Sequence, residues 1–308
     1  IVIDEQHRFG VGQRHALMQK GEKCGEVPHQ LIMTATPIPR TMAMTAYADL
    51  DYSVIDALPK GRKPIQTIVL ANNRRDSIIE RVQANCLGGG QAYWVCTLID
   101  ESDALQCQAA EATADMLSKR LAGVVVGLVH GRMSSVEKEG AMQRFKNKEI
   151  QLLVATTVIE VGVDVSNANL MIVENAERLG LAQLHQLRGR VGRGAKQSTC
   201  LLMYQAPLSE NGRQRLEIMR ETEDGFRISE EDLAMRGAGD VIGTAQSGLP
   251  RFRIADLERQ TALMVLAQSD ARKLLMDDPK LEQERGIAAR TLLWLMEQDK
   301  AIRLISVG

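Results

Sequence analysis

An acidic pair directly follows the first apolar segment of the chain. The segment is residues 1–3 (Ile-Val-Ile), and Asp4 and Glu5 come after it. Ligands of open α/β sheets bind at the carboxyl ends of strands, where an Asp can hold Mg²⁺ through water. The adjacent Glu can orient a water for in-line attack on a γ-phosphate. The pair is consistent with a nucleotide-hydrolysing centre, and taken alone it is equally consistent with an ordinary acidic turn.

Threonines come after two further apolar segments. Thr34 and Thr36 follow one of them, where small hydroxyl groups can hydrogen-bond a neighbouring carboxylate. Thr156 follows the other and precedes Gly162 and Asp164. Threonine hydroxyls and backbone N–H groups at the start of a helix suit a phosphate, and the Asp can contact a ribose or the acidic pair. A simple helix N-cap is the alternative for Thr156.

A basic, glycine-rich element begins at Gln186 and reads QLRGRVGRG. Arg190 and Arg193 are three residues apart, so they share a face if the segment is helical. The glycines of this element allow the backbone and both guanidinium groups to come close to a ligand. Two guanidinium groups on one face would neutralise charge on a triphosphate during phosphoryl transfer. The alternative is a solvated basic turn.

Apolar segments and helical patterns alternate regularly through the middle of the chain. Strands are predicted at residues 67–70, 92–96, 124–129, 151–155, 170–173 and 199–203. Helices are predicted at residues 75–86, 103–121, 134–145 and 181–187. Continuous apolar strands separated by helices are typical of βαβ units with a parallel sheet covered on both faces. The predicted fold class is therefore α/β.

The pattern changes after Pro207. An amphipathic helix with a Ser N-cap is predicted for residues 209–221, and a second short helix for 229–235. Residues 236–248 contain four glycines and are predicted to form a loop. The remainder of the chain has helical patterns, in which Trp294 and its leucine neighbours are predicted to be core residues.

Composition limits the classes of function. The chain has 308 residues, a length typical of about two domains. Its 38 basic and 39 acidic side chains nearly cancel, so any nucleic-acid site must be a local basic patch. Aromatic residues are only 3% of the chain, which disfavours a base-stacking platform and favours contacts to the phosphate backbone.

Cysteine spacing and hydropathy indicate an intracellular protein. The five cysteines form no C-x-x-C pair, so reduced and mostly buried thiols are expected. No apolar run reaches the roughly 18 residues that a membrane span needs, and no signal peptide is recognisable. The expected location is the cytoplasm.

Taken in order, these elements resemble the motif set of superfamily-2 helicases and translocases. Residues 4–11 (DEQHRFGV), 34–41 (TATPIPRT), 127–133 (GLVHGRM) and 178–185 (RLGLAQLH) are similar to the RecG family of branch-migration helicases. The resemblance covers nearly the whole chain and weakens past about residue 258. It implies RecA-like lobes of the P-loop NTPase type, with ATP and Mg²⁺ as cofactors.

The resemblance also implies roles for individual residues in the nucleotide site. Asp4 would hold Mg²⁺, Glu5 would activate water, and Arg190 and Arg193 would act as arginine fingers. The residues that would couple nucleotide state to lobe closure are His7, Thr34, Thr36 and Gln186. Gly162 and Asp164 would help line the nucleotide site.

Further residues are implied to contact or move DNA. His130, Gly131 and Thr156 would lie near the DNA backbone. Residues 207–250 resemble the translocation hairpin that the RecG family shares with the transcription-repair coupling factor. Arg215, Arg236 and Gln246 match the key polar positions of that hairpin, although a solvated helix face is the plain alternative for Arg215.

The resemblance implies four regions. They are a remnant of the first RecA-like lobe (1–58), a second lobe (64–206), the hairpin and its loop (207–250), and C-terminal helices (251–308). The implied function is ATP-dependent translocation on double-stranded DNA that regresses stalled forks and migrates Holliday junctions. The implied partners are branched duplex DNA and a single-strand DNA-binding protein, and the implied setting is a monomer at the bacterial nucleoid.

The chain departs from the family in one respect. It contains no G-x-x-x-x-G-K-[ST] phosphate loop, and the family's N-terminal wedge domain is also missing, so the 308 residues alone are expected to be inactive as an ATPase. The transcription-repair coupling factor is the nearest alternative, against which residues 49–51 (DLD) favour RecG. A non-catalytic DNA-binding module is the alternative for the isolated chain.

Overall fold

A computed structural model describes the greater part of the chain. The described residues are 1–4, 16–17, 20–21, 28–34, 53–55, 57, 61–97, 103–156, 165–194, 196–243 and 260–296. The chain divides into two compact units. One comprises residues 1–37 and 56–232, and the other comprises residues 38–55 and 233–308.

Two short strands near the N-terminus form a sheet of their own. Strand β1 (Val2–Ile3) pairs in parallel with β2 (Leu31–Ile32). The Leu31 and Met33 amides donate to the carbonyl oxygens of Ile1 and Ile3, each over 2.8 Å. Because the strands are parallel, their carboxyl ends lie at the same edge of the sheet.

The main sheet of the first unit has six strands, all parallel. They are β3 (Ile65–Ala71), β4 (Gln91–Val95), β5 (Val126–Val129), β6 (Leu152–Ala155), β7 (Ala168–Val173) and β8 (Ser198–Tyr204). Their order across the sheet is β3-β8-β7-β4-β6-β5. The prediction of a parallel α/β sheet is confirmed, and every predicted strand is present within two residues or so of its expected bounds.

Four helices follow the strands as predicted. They are α1 (Arg75–Leu87), α2 (Asp103–Arg120), α3 (Ser135–Lys146) and α4 (Leu181–Arg188). The inner faces of α1 and α2 pack with Trp94 and alternate side chains of the central strands in one buried cluster. On the opposite face of β4, the ring of Tyr93 lies 4.9 Å from that of Phe145 in α3. Helices on both faces explain why β4 and β6 are buried along their whole length.

Two helices come after the main sheet. Helix α5 (Glu210–Glu221) begins as predicted, because the Ser209 hydroxyl accepts a hydrogen bond from the Gly212 amide. Helix α6 (Gly225–Gly243) is longer than expected, so the prediction of a loop starting at Arg236 is wrong as far as residue 243. A glycine disfavours a helix by about 1 kcal/mol, which the surrounding Leu, Ala and Met residues offset when no proline intervenes.

The second unit contributes α7 (Thr261–Asp277) and α8 (Glu284–Leu295). The buried Asp278 carboxylate between them accepts from the Glu282 and Gln283 amides, each over 2.9 Å, and so fixes the turn into α8. The prediction that Trp294 is a core residue is wrong, because 67% of its surface is exposed. Helical periodicity places it on an apolar stripe, but nothing in the described part of this unit covers that stripe.

Two kinds of feature are absent from the described residues. Within them, no helix combines the length and apolar character needed to cross a bilayer. The same residues contain no group of three or more His, Cys, Asp or Glu side chains able to hold a metal ion. Four cysteines in this part of the chain are free and buried, as expected: Cys86, Cys96, Cys107 and Cys200.

Candidate functional site

Asp4 and Thr34 lie at the same edge of the two-stranded sheet. Each comes just after its strand, and both are exposed. A single exposed carboxylate at a strand's carboxyl end fits Mg²⁺, which keeps several waters and takes few protein ligands. The rest of the predicted acidic and hydroxyl motifs, namely Glu5, His7 and Thr36, falls outside the described residues.

The predicted DNA-backbone residues come together at the carboxyl ends of two neighbouring strands. His130 follows β5 and Thr156 follows β6, which pair in parallel, and the Thr156 amide donates to the Val129 carbonyl oxygen over 3.2 Å. Both side chains are buried, at 9% and 2% exposure. His130 Nδ1 and Thr156 Oγ1 have no hydrogen-bond partner among the described residues. Buried polar atoms are costly to leave unpaired, so a ligand or water is expected there.

The turn after His130 carries further groups that suit an anion. Gly131 is exposed, and its carbonyl oxygen accepts from Lys138 Nζ over 2.9 Å. His130 Nε2 lies 3.3 Å from Glu111 Oε1, which orients the ring. The turn leads into the N-terminus of α3, where Ser134 and Glu137 form a capping box. The capping box pairs the Ser134 and Glu137 amides within the helix start, so Lys138 is the group of this turn whose charge suits a phosphate.

The basic element is arranged differently from the prediction. Helix α4 includes Gln186, which is partly exposed, but it ends at Arg188. Arg190 and Arg193 therefore do not share a helical face; they lie on the turns that follow. The Arg193 side chain is exposed and its Nε donates to the Gly189 carbonyl oxygen over 3.4 Å.

The glycines of this element are required by packing inside the lobe. Gly192 has φ of 80°, and a Cβ there would lie 2.8 Å from Cγ1 of Ile65. A Cβ on Gly194 would lie 2.2 Å from the Ser166 carbonyl oxygen. Close contact with β3 and with the segment before β7 is therefore a structural reason for these two glycines, and close approach to a ligand stays a prediction.

One residue of the element, Arg188, was missed by the motif analysis. It is 2% exposed, and its Nη1 donates to the carbonyl oxygens of Met219 and Thr222, each over 2.8 Å. It thereby joins the end of α4 to the end of α5. The sequence could have indicated that Arg188 is buried, because Leu184 and Leu187 precede it at helical spacing on the buried face of α4.

His185 lies beside Arg188 and is affected by it. Arg188 Nη2 is 3.1 Å from His185 Nδ1, so the ring nitrogen accepts from the guanidinium and is unprotonated. Burial, together with the charges of Arg188 and Arg62, lowers the pKa of His185 to about 4, although Asp224 acts in the opposite direction. The ring is therefore neutral at physiological pH.

Arg215 in α5, which is predicted to be a hairpin position, is held by a turn of the first unit. Its Nη1 donates to the Glu177 carbonyl oxygen over 2.7 Å. Glu177 belongs to a 3-10 turn (Ala176–Arg178) that follows β7. The solvated-face alternative for Arg215 is therefore wrong. The backbone of Arg236 lies in α6, and the remaining predicted positions, Gly162, Asp164 and Gln246, lie outside the described residues.

The fold and its motifs are those of a helicase lobe. Residues 74–195 match the family model described as "Helicase conserved C-terminal domain". Dbp5 from S. cerevisiae, in a structure with RNA and ADP BeF3, superposes with a TM-score of 0.50 at 14% identity over 73% of this chain and 56% of its own. Similarity at that level concerns the fold alone. The class is thus a RecA-like helicase lobe with a six-stranded parallel sheet.

A second match narrows the class to one family. Residues 222–304 match the model "ATP-dependent DNA helicase RecG, domain 3, C-terminal". The chain belongs to the RecG helicases, and it comprises the helicase C-terminal domain and the domain 3 region of that family. The choice against the coupling-factor alternative rests on this second match.

Individual relatives agree with the family models. RecG of Pasteurella multocida (strain Pm70) is 58% identical over 91% of this chain and 41% of its own length. RecG of Escherichia coli (strain K12) is 56% identical over 97% of this chain and 43% of its own. A structure of RecG bound to a three-way DNA junction superposes with a TM-score of 0.65 at 42% identity, covering 85% of this chain and 33% of that one. The chain spans about two fifths of the length of these curated relatives.

Proposed function

We propose that the protein to which this chain belongs is an ATP-dependent translocase on double-stranded DNA that remodels branched DNA, regressing forks and migrating Holliday junctions. The observation that carries the proposal is the 56% identity with Escherichia coli RecG over 97% of the chain. The structure of a RecG bound to a three-way DNA junction supports the choice of branched DNA as the substrate.

We also propose the four regions with the bounds 1–58, 64–206, 207–250 and 251–308. The nucleotide site would form from residues of the first two regions, which are the predicted lobes. ATP, when bound with Mg²⁺, supplies the phosphoryl group whose hydrolysis drives the motor. Asp4 would hold the metal through water and Glu5 would accept a proton from the attacking water. Arg190 and Arg193 would neutralise charge on the phosphoryl group, while His7, Thr34, Thr36 and Gln186 would transmit nucleotide state. Gly162 and Asp164 would line the site.

The DNA side of the proposal rests on the carboxyl ends of β5 and β6. His130 Nδ1 and Thr156 Oγ1, which have no partner in the part of the chain that the structure describes, are suited to a phosphate oxygen of the backbone, with Gly131 allowing close approach. Arg215, Arg236 and Gln246 would belong to the hairpin that moves along the duplex. Contacts to phosphate also agree with an aromatic content of only 3%.

The proposal includes partners and setting on the strength of the family resemblance. A single-strand DNA-binding protein is the proposed protein partner, and a monomer is the proposed working unit. A protein that acts on bacterial chromosomal DNA belongs in the cytoplasm with the nucleoid. A non-catalytic role remains the alternative for the 308 residues alone, because they contain no phosphate loop.

The test uses the full-length protein and the 308-residue chain side by side. The full-length protein is expected to migrate a synthetic Holliday junction and regress a fork only with ATP and Mg²⁺. The 308-residue chain is expected to show no DNA-stimulated ATP turnover. Retention of RNA polymerase in a pull-down, with no junction migration, would favour the coupling-factor function instead, and ATP turnover by the short chain would contradict the role given to the phosphate loop.

A further inference from the structure

A buried carboxylate lies at the carboxyl end of β7, outside every motif described above. Glu174 is 9% exposed, and its Oε1 accepts from Trp94 Nε1 over 2.7 Å. The same oxygen lies 2.6 Å from Nη2 of Arg75, whose guanidinium carbon is 5.4 Å from the centre of the Trp94 ring. Trp94 of strand β4 and Arg75 of helix α1 thus both fix the position of the Glu174 carboxylate.

This arrangement is a poor source of stability. Burial raises the pKa of the Glu174 carboxyl, and the charge of Arg75 and the hydrogen bond from Trp94 act against that rise. A buried ion pair often contributes no more to folding than well-packed apolar side chains would, because both charges must be desolvated. Stability therefore does not explain the contacts of Glu174, and we look for their role in the positions of the neighbouring backbone and side chains.

The backbone next to this carboxylate is held just as closely. The Thr97 hydroxyl donates to the Glu174 carbonyl oxygen, and Asn175 Nδ2 donates back to the Thr97 carbonyl oxygen over 3.0 Å. Asn175 itself has φ of 46°, the left-handed conformation that turns the chain sharply away from β7. The direction in which the chain leaves the sheet is therefore tied to the ends of both β4 and β7.

The turn that follows carries the contact to the hairpin. Its Glu177 carbonyl oxygen accepts from Arg215 Nη1 over 2.7 Å. The Glu177 side chain also accepts from the Gln205 amide over 3.4 Å, at the end of β8. A displacement of this turn would move the carbonyl oxygen that accepts from Arg215, and it would therefore change the position of α5.

We propose that Glu174 is a positioning residue: held by Trp94 and Arg75, it sets the turn that seats Arg215 and so couples the hairpin to the lobe. The proposal rests on the proposed translocation function of that hairpin. The proposal predicts that ATP hydrolysis and its coupling to DNA movement depend on different residues, because the arginine-finger candidates Arg190 and Arg193 lie on a different segment. Loss of the Glu174 charge should therefore reduce DNA remodelling per ATP consumed while leaving hydrolysis in place.

The test compares Glu174→Gln with wild type in the full-length protein. The amide keeps an acceptor for Trp94 and nearly the same volume, but it removes the charge that Arg75 faces. Junction migration is expected to fall about tenfold, a size typical of residues that carry coupling between sites, while DNA-stimulated ATP turnover stays within about twofold of wild type. Glu149→Gln is the matched control, since it breaks an exposed ion pair with Arg144, and it should change neither rate.

A double-mutant cycle with Arg215→Ala tells positioning from a structural role. If Glu174 acts through Arg215, adding Glu174→Gln to Arg215→Ala should reduce junction migration by less than about twofold further. If the double variant loses junction migration by the product of the two single-variant losses, the proposal is overturned. A fall in ATP turnover equal to the fall in junction migration would overturn it as well. Thr97→Val, which leaves the carboxylate in place but removes its backbone contact, should reproduce the same separation even if Glu174→Gln folds poorly. A wild-type protein that fails to migrate junctions would defeat the proposed function instead.

Discussion

The guanidinium of Arg188, in the last residue of α4, lies 2.8 Å from the carbonyl oxygen of Met219 in the last turn of α5. A second bond of the same length reaches Thr222, just past the end of that helix. Carbonyl groups at the end of a helix lack partners within the helix, and a cation there also opposes the negative end of its dipole. Arg188 therefore caps the carboxyl end of α5 and joins the basic motif to that helix.

Replacing Arg188 by alanine should destabilise the fold strongly. The change leaves two carbonyl groups unpaired and opens a cavity, at an expected cost of about 3 kcal/mol in the free energy of unfolding. Urea unfolding of the purified protein measures this. Arg81→Ala, on the exposed side of α1, is the control and should stay within about 0.5 kcal/mol of wild type. Equal stability of the two variants would contradict the role assigned to Arg188.

His185 should make the fold sensitive to mild acid. Its pKa is lowered to about 4 in the folded chain, against an ordinary value of 6.5, so the unfolded chain binds a proton first as pH falls. Its contribution to stability is complete above pH 6.5 and is lost as pH falls towards 4, with a slope of at most about 1.4 kcal/mol per pH unit.

The variant that checks this is His185→Gln, which can still accept from Arg188 but cannot titrate. Unfolding free energies measured from pH 7 to pH 4 should fall less steeply for the variant than for wild type. Parallel curves would show that another group is responsible for the acid sensitivity.

Arg193→Ala in the full-length protein should separate ATP binding from hydrolysis. The side chain is exposed and its hydrogen bond to the Gly189 carbonyl oxygen is long at 3.4 Å, so its removal should change the free energy of unfolding by no more than about 0.5 kcal/mol. As an arginine finger it would act mainly on the transition state, and hydrolysis is expected to fall roughly 10³-fold or more while ATP affinity is nearly kept. Fluorescent-nucleotide binding and a phosphate-release assay measure the two quantities. Equal losses in both would count against the finger role.

Thr156→Val should change stability and DNA affinity in opposite directions. The hydroxyl is buried and has no partner among the described residues, so an isosteric apolar side chain should stabilise the fold by about 1 kcal/mol. If the hydroxyl donates to a DNA phosphate, duplex affinity should fall about tenfold at constant salt. Urea unfolding measures the change in stability, and a fluorescence-anisotropy titration with duplex DNA measures the change in affinity. Thr291→Val, at an exposed position in α8, should alter neither.

Much of the fold follows from local patterns. Apolar runs such as residues 151–155 and helical spacing such as Leu181, Leu184 and Leu187 report which faces are buried, because each pattern depends only on neighbouring residues. The same patterns mistook exposed Trp294 for core and ended α6 too early, since periodicity does not say whether another element covers an apolar stripe. They placed the end of α4 correctly, but they left open whether Arg190 and Arg193 share a helical face, which they do not.

The chemistry-bearing motifs and the α/β class were determined by the sequence alone, because residue type and spacing record them directly. Only the tertiary structure decided which polar groups meet. Arg188 and Met219 are 31 residues apart in the chain, and Trp94 and Glu174 are 80 apart. Such pairs arise when separate strands and helices are brought together at the ends of the sheet, and their side-chain hydrogen bonds depend on a register that no local pattern contains.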